Sequence, residues 1–600
     1  MSARTVYTLL EEAAATYGRA IALYQPKNGS GSQSYRKYDW IEYQQIVREI
    51  AAGLRSIGVG KGDIVALNSE TRAEFYLADI GVMANGSISA AAYTSYPFHE
   101  QVQTLRACDP KAVFVENPKT FQALREAGAD SLDIPWILLT GSAEGAMTTD
   151  ELRERGREAM RSDPELFSRI QAELSPDDHA ILYLTSGATG EPKMGLVTHR
   201  ALLANCDMGP QVLDLGPNDR TLAFLPSAHI TQRVVMELLP IRMGIPVWFS
   251  AGLSKMPSEL RKIRPTFLVA PPRVWERMYS SIYAEIRKKP AVFQRIFYFA
   301  LGLGAEANKY KERGEEVPAW LRVALKPLEK LVFDQIRGRL GGKLRIAASG
   351  AAPLGKELAT FYSSIGMPLI EGYGLTEGGI CTLNPINRPK AGSIGKPLPG
   401  VELRLDEDGE LLVKSPCVFT GYYKDPETTA SILRDGWLHT GDIAEFDDEG
   451  YVYITGRKKE IIVASNGKKI YPARIENLFK VEPLINQVVL IGDRLPYITA
   501  LFTINANTIE TIPGLEALKG LPMSELAKDP LVQKAVKEAV ARVNSKLAPF
   551  EQIRKFRILD RDFSIENGEM TPTMKVRRAR VLENFRDLIV EMYSGREENV

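Results

Sequence analysis

The strongest constraint on this chain is a repeated change of hydrophobic period along its first 350 residues. Residues 40–57 carry apolar side chains at helical spacing, with Ile41, Ile46, Ile50, Leu54 and Ile57 on one side. A Gly-Val-Gly-Lys-Gly-Asp breaker ends that run, and residues 64–67 follow as a short, wholly apolar strand candidate. Residues 75–82 read as helix and 111–115 as a buried strand. The pattern returns at 221–225, 267–269 and 344–347. Such alternation predicts an α/β fold with a parallel sheet. At about 100–200 residues per domain, 600 residues hold roughly three to five compact units.

Charge and cysteine content narrow the function classes. Lys plus Arg is 75 against 74 Asp plus Glu, a balance of +1 that gives no global nucleic-acid footprint. The four cysteines are scattered and form no CxxC, which argues against a thiol-disulfide motif or a cysteine zinc site and fits a reducing compartment. No two of the five histidines sit at i, i+4, so an HExxH zinc site is excluded. The N-terminus has no apolar signal core, and no run of 18 apolar residues occurs. These features fit a cytoplasmic protein. One stretch departs from the neutral average. Residues 281–345 hold fourteen Lys/Arg and seven Asp/Glu, a local +7, interleaved with Phe293, Ile296, Phe297, Tyr298, Phe299, Leu301, Trp320 and Leu321. That pattern suits either packed helices with a solvated basic face or helices lying on the inner face of an anionic membrane. After residues 406–410, short strand candidates at 409–413, 421–423 and 451–454 form a small β region, and the chain is punctuated near residue 456.

Four segments carry chemistry. In residues 184–193, Leu-Thr-Ser-Gly-Ala-Thr-Gly-Glu-Pro-Lys, glycines let backbone N–H groups approach phosphate, hydroxyls add donors, and Lys193 adds charge. The spacing is not that of a Walker A loop, and alone the segment also suits a surface turn. In residues 371–377, Glu-Gly-Tyr-Gly-Leu-Thr-Glu, an aromatic stands ready to stack on a base, and Thr376 and Glu377 offer oxygen to Mg²⁺. The alternative there is a plain strand–turn–helix with Glu377 at the helix start. In residues 437–442, Trp-Leu-His-Thr-Gly-Asp, an aspartate at a turn can accept from ribose hydroxyls, with Arg457 following. Residues 567–575 end in Thr-Pro-Thr-Met-Lys and lead into a basic helix start.

In this order and spacing, the four segments resemble the adenylate-forming superfamily of acyl-CoA synthetases, luciferases and peptide-synthetase adenylation domains. Residues 224–229, 264–276, 349–354 and 571–575 are similar to segments of its long-chain fatty acyl-CoA synthetase branch. The resemblance implies a mixed α/β architecture. A large body of several subdomains with stacked, mostly parallel sheets (1–456) would carry a small, mobile C-terminal domain (457–600). It also implies ATP, Mg²⁺ and coenzyme A as reactants with a fatty acid. The carboxylate would attack the α-phosphate to give acyl-AMP and pyrophosphate, and the thiol would then displace AMP.

Carried over position by position, Thr185, Ser186, Gly187, Ala188, Thr189, Gly190 and Lys193 match the phosphate loop. Gly350, Ala351 and Ala352 match the adenine-side strand, and Glu371, Gly372, Tyr373, Gly374, Leu375 and Thr376 line the nucleotide. Thr185 and Glu377 match the Mg²⁺ positions, Asp442 and Arg457 the ribose contacts. Lys575 matches the lysine that stabilises charge at the acyl–phosphate oxygens, and His229 a residue beside the reacting carboxylate. Lys459 falls at the family's hinge, and residues 467–472 belong to the face used in the second pose.

Leu184, Ala188, Met194 and Gln232 depart from the usual pattern, which implies altered kinetics or acyl preference. Two other readings on this scaffold are an acyl-AMP ligase loading a carrier-protein thiol and a non-catalytic acyl-binding protein. Oligomeric state is left open, a dimer included.

Overall fold

A computed structural model describes residues 4–27, 34–186, 192–464 and 467–594. Its largest sheet has eight strands in the order Gly421–Tyr422, Pro192–Thr198, His179–Ser186, Ile88–Ala91, Ile64–Asn68, Ala112–Val115, Trp136–Leu138, Met147–Thr148. From His179–Ser186 to the far edge all pairings are parallel, and the Pro192–Thr198 hairpin strand and its neighbour add antiparallel pairs. Every residue of Ile64–Asn68 is buried, as expected for an apolar run covered on both faces. Helix Ala73–Ala84 is buried nearly all round and joins this strand to its parallel neighbour.

A second sheet runs Phe267–Ala270, Ile346–Ser349, Leu369–Leu375 in parallel, then turns antiparallel through Gly379–Leu383 and Lys396–Pro397. A four-stranded sheet joins Thr221–Ala223 and Val247–Phe249 to Ile21–Pro26 and Tyr35–Asp39. An antiparallel sheet holds Glu402–Leu405, Glu410–Lys414, Trp437–Phe446 and Val452–Arg457. The fold is thus mixed α/β with several sheets, as the period changes predict.

The predicted 40–57 helix is Trp40–Ser56, capped by Asp39, whose carboxylate accepts from the Glu42 N–H at 2.7 Å. Its buried face is Tyr43, Ile46, Val47, Ile50 and Leu54; Ile41 is 40% exposed and does not belong to the stripe. At 3.6 residues per turn, Ile41 lies about 140° away from Ile46.

Residues 281–345 form the end of helix Pro272–Arg287, helices Ala291–Glu312 and Ala319–Leu328, a π-helical segment Glu329–Phe333 and helix Asp334–Arg339. Phe297, Ala300, Gly304 and Ala307 are buried on one side of Ala291–Glu312, and Leu321 and Leu328 on one side of Ala319–Leu328. Among the described residues, no helix is long and apolar enough to cross a membrane.

From residue 462 onward the chain builds apolar clusters of its own around Ile485–Ile491, Ile498–Ile504 and Ile553–Ile558.

Candidate active site

One cleft of about 2410 Å³ lies between the body and the residues from 457 onward. Lys193, His229, Gly350 to Ala352, Glu371 to Glu377, Asp442, Arg457, Lys459 and Lys575 all line it. Gly187, Ala188, Thr189 and Gly190 lie outside the described residues. Of Thr185 and Ser186 only the backbone is described, paired with Lys193 and Pro192 across the hairpin.

Strand pairing creates the first polar group. Asp442 is directly opposite Arg457 in the antiparallel pair Trp437–Phe446 and Val452–Arg457. Their side chains meet, with Arg457 Nε at 2.9 Å from Asp442 Oδ1. The other carboxylate oxygen accepts from the Tyr373 hydroxyl at 2.6 Å. Asp442 is therefore in mid-strand, not at the turn expected from sequence. Residues 371–377 also differ from the strand–turn–helix alternative. Leu369–Leu375 extends through Tyr373 and folds back through Thr376, Glu377 and Gly378 into the strand Gly379–Leu383. Ala351, after the strand Ile346–Ser349, has φ +70, a left-handed backbone that a non-glycine residue adopts only under local constraint. The Asp442 charge holds the Arg457 guanidinium protonated above its ordinary value.

A second group forms at Glu377. The hydroxyl of Tyr422 donates to Glu377 Oε1 at 2.5 Å, and the ammonium of Lys193 stands 5.0 Å from the centre of the same tyrosine ring. This brings a carboxylate and a cation to one wall. Burial and the Glu377 charge push the Tyr422 phenol well up. Both residues arrive through the large sheet, where Gly421–Tyr422 pairs with Gly195 and Leu196.

Lys575 enters from the C-terminal side on a turn tied by Thr571, whose hydroxyl accepts the Lys575 N–H at 3.1 Å and whose own N–H reaches the Lys575 carbonyl at 2.8 Å. The side chain is exposed to solvent within the cleft, and the protein crowded around it partly desolvates the ammonium. That desolvation, helped by the charge of Arg457, lowers its pKa to about 8. Asp442, Glu377 and Glu460 oppose the shift. His229 is pushed down to about 3 by burial and by Lys575. Its Nδ1 accepts from the Thr231 N–H at 3.1 Å, so the neutral ring carries its proton on Nε2. Burial raises Glu371 to about 7, although its Oε1 accepts from the Leu354 N–H at 3.0 Å.

Several cleft residues escaped the sequence reading. Tyr422 is one, because its partner Glu377 is 45 positions earlier. Lys480 is another: it crosses to the body, pairing with Glu276 at 3.3 Å and donating to the Pro353 carbonyl. Asp406, Glu410 and His439 bring their ligand atoms within 4.8 Å of one another. Lys458 already pairs with Glu410 at 3.2 Å and also with Asp408, which fills part of that negative charge.

Residues 10–423 match the AMP-binding enzyme family, and residues 459–597 match the AMP-binding enzyme C-terminal domain. The chain is 35% identical over 557 residues to the long-chain-fatty-acid–CoA ligase FadD15 of Mycobacterium tuberculosis, with 91% of each chain covered. It is 30% identical over 598 residues to the human long-chain-fatty-acid–CoA ligase 1, covering 93% of this chain and 83% of that one. Among solved structures, the adenylation domain of a carboxylate reductase from Mycobacterium chelonae superposes with a TM-score of 0.74 at 21% identity, over 99% of this chain and 91% of that chain. A Mycobacterium tuberculosis fatty acyl CoA synthetase gives 0.61 at 21% identity, over 97% and 99%.

Proposed function

We propose, because the chain belongs to the AMP-binding enzyme family, that it activates a long-chain fatty acid with ATP and passes the acyl group to coenzyme A. The products are fatty acyl-CoA, AMP and pyrophosphate. The observation that carries this reading is the convergence of Tyr373, Glu377, Asp442, Arg457, Lys193 and Lys575 on one cleft. The names of the relatives support the choice of acid and of acceptor.

In the first half-reaction a carboxylate oxygen attacks the α-phosphorus, and the bond to the β-phosphate breaks to release pyrophosphate. Such a transfer needs charge neutralisation and positioning more than a protein nucleophile. Lys193, with Thr185 to Gly190, holds the phosphates. Gly350, Ala351 and Ala352 border adenine, along with Glu371 to Thr376, and Tyr373 stacks on it. Asp442, held by Tyr373 and Arg457, accepts from the ribose hydroxyls. Lys575 stabilises the charge that grows on the oxygens between acyl carbon and phosphorus. Neutral His229 offers its Nε2–H to the reacting carboxylate. The Glu377 carboxylate is an oxygen donor that fits a hard cation, and Thr185 matches the second Mg²⁺ position by sequence. They would hold Mg²⁺, which supplies charge neutralisation on the phosphates when bound.

In the second half-reaction the sulfur of coenzyme A attacks the acyl carbonyl, and the carbon–oxygen bond to AMP breaks. Residues 457–600 turn about Lys459 against the body formed by 1–456, so that Lys575 withdraws and residues 467–472 face the cleft. The surroundings belong to the same reading: a cytoplasmic protein that meets the inner face of an anionic membrane through 281–345.

Incubation with ATP, Mg²⁺, coenzyme A and a panel of fatty acids tests the proposal. Acyl-CoA and AMP should form together, fastest with long chains. Release of AMP and pyrophosphate with no acyl-CoA would remove the thioester half. Acyl transfer to a carrier-protein thiol but not to coenzyme A would replace it with the carrier-loading reading.

A further inference from the structure

Helices Ala291–Glu312 and Ala319–Leu328 each bury one side, as described above, and each leaves a second apolar stripe uncovered. On the first, Val292, Ile296 and Phe299 recur at i, i+4, i+7, and Phe299 is 63% exposed. On the second, Trp320 and Val323 are 61% and 72% exposed, and the line continues to exposed Leu331. Exposed aromatics and aliphatics scattered singly are ordinary, but helical stripes of them mark a surface that meets something apolar.

The charges beside the stripes identify the partner. Arg322, Lys326 and Lys330 recur every four residues along the flank of the Trp320 stripe, and Arg295 lies within the other. Helix Ala319–Leu328 carries no acidic residue. Several other cations of the segment are paired within the protein: Lys288 with Glu510, Lys309 with Glu306, Arg337 with Glu329 and Arg339 with Glu285. Arg295, Arg322, Lys326 and Lys330 form no ion pair with another described residue. An apolar stripe with an uncompensated basic flank complements a surface with an apolar interior and negative headgroups.

We infer that the Val292–Phe299 and Trp320–Leu331 stripes dock on the headgroup layer of an anionic lipid bilayer. The apolar side chains enter the acyl boundary, and Arg295, Arg322, Lys326 and Lys330 face the phosphates. This names the face that makes the membrane contact of the proposed function and rests on that reading. Binding is read without catalysis, so either can fail alone.

The test is co-sedimentation of the full chain with vesicles of equimolar phosphatidylglycerol and phosphatidylcholine, against phosphatidylcholine alone, across a salt series. The wild type should bind the anionic vesicles preferentially and weaken as salt rises. Trp320→Ser with Val323→Ser should weaken binding by at least about tenfold, and Arg322→Glu with Lys326→Glu and Lys330→Glu by more. AMP release on detergent-dispersed fatty acid should be unchanged in both. Equal binding to both vesicle types, binding unaffected by either variant, or no binding by the wild type would overturn the inference. So would a light-scattering mass showing a dimer that Trp320→Ser with Val323→Ser dissolves, since a second copy would then cover the face. The salt series on the wild type needs no variant to fold.

Discussion

Lys575 is pulled two ways at the residue scale. In the role proposed for it, its charge acts on a transferring phosphoryl group, while the cleft partly desolvates it and lowers its pKa to about 8. A protonated ammonium is the form that stabilises developing negative charge, so kcat/KM for pyrophosphate exchange should fall as pH rises through about 8. Lys575→Arg should move that limb to higher pH. Lys575→Ala should slow exchange roughly a thousandfold while ATP binding, read by calorimetry, is mostly kept. Near-normal exchange in that variant would remove the lysine from the mechanism.

Glu371 makes an opposite kind of prediction, about stability. Burial raises its pKa from 4.5 to about 7 in the folded chain. Between those values the unfolded chain has released a proton that the folded chain keeps, so stability falls as pH rises through the window and is flat above it. The loss is on the order of 3 kcal/mol. Buried neutral His229 and His199 act in the opposite sense over this range, so the test is differential: in urea midpoints measured from about pH 4.5 to 7, the wild type should lose stability relative to Glu371→Gln as pH rises.

Elements meet where side chains are absent. Helices Trp40–Ser56 and Thr149–Ser162 cross so closely that a Cβ on Gly156 would stand 2.0 Å from the Glu49 carbonyl and 2.9 Å from the Gly53 nitrogen. Backbone cannot yield as a flexible side chain does. Gly156→Ala should therefore lower the urea midpoint by an amount worth about 1–3 kcal/mol, with fatty-acid activation per folded molecule unchanged.

This crossing also shows what the sequence could and could not disclose. Strand Ile64–Asn68 and helix Ala73–Ala84 were legible because burial on all sides leaves a mostly apolar stretch, interrupted in the helix by Asp79, which pairs with buried Arg233. Asp442 and Arg457 were legible as a pair through their motifs. That they face each other across two strands was not, since register depends on hydrogen bonds between distant segments. Tyr422 was invisible as a site residue for the same reason: only the edge pairing with Gly195 and Leu196 carries it to Glu377. The membrane-like charge of 281–345 was legible as a total, but the split between paired and unpaired cations needed the fold.

At the scale of the whole molecule, few polar contacts among the described residues hold the chain beyond residue 460 against the body. Lys480 reaches Glu276 and the Pro353 carbonyl, Lys288 meets Glu510 at 3.1 Å, and Arg287 donates to the Thr511 carbonyl at 2.8 Å. In the proposed mechanism the pose with Lys575 in the cleft serves the first half-reaction, and the proposed turn about Lys459 would break these contacts. They should therefore act on the balance between half-reactions rather than on either chemistry. Lys480→Ala with Lys288→Ala should slow pyrophosphate exchange by roughly two- to fivefold, while acyl transfer from preformed acyl-AMP to coenzyme A holds or rises in single turnover. Restoring Lys288, as in Lys480→Ala alone, should recover much of the exchange. An equal fall in both half-reactions would mean that the contacts secure the fold and do not select the pose. In that case the partition between half-reactions would be set at the hinge itself, and substitutions at Lys459 alone would move it.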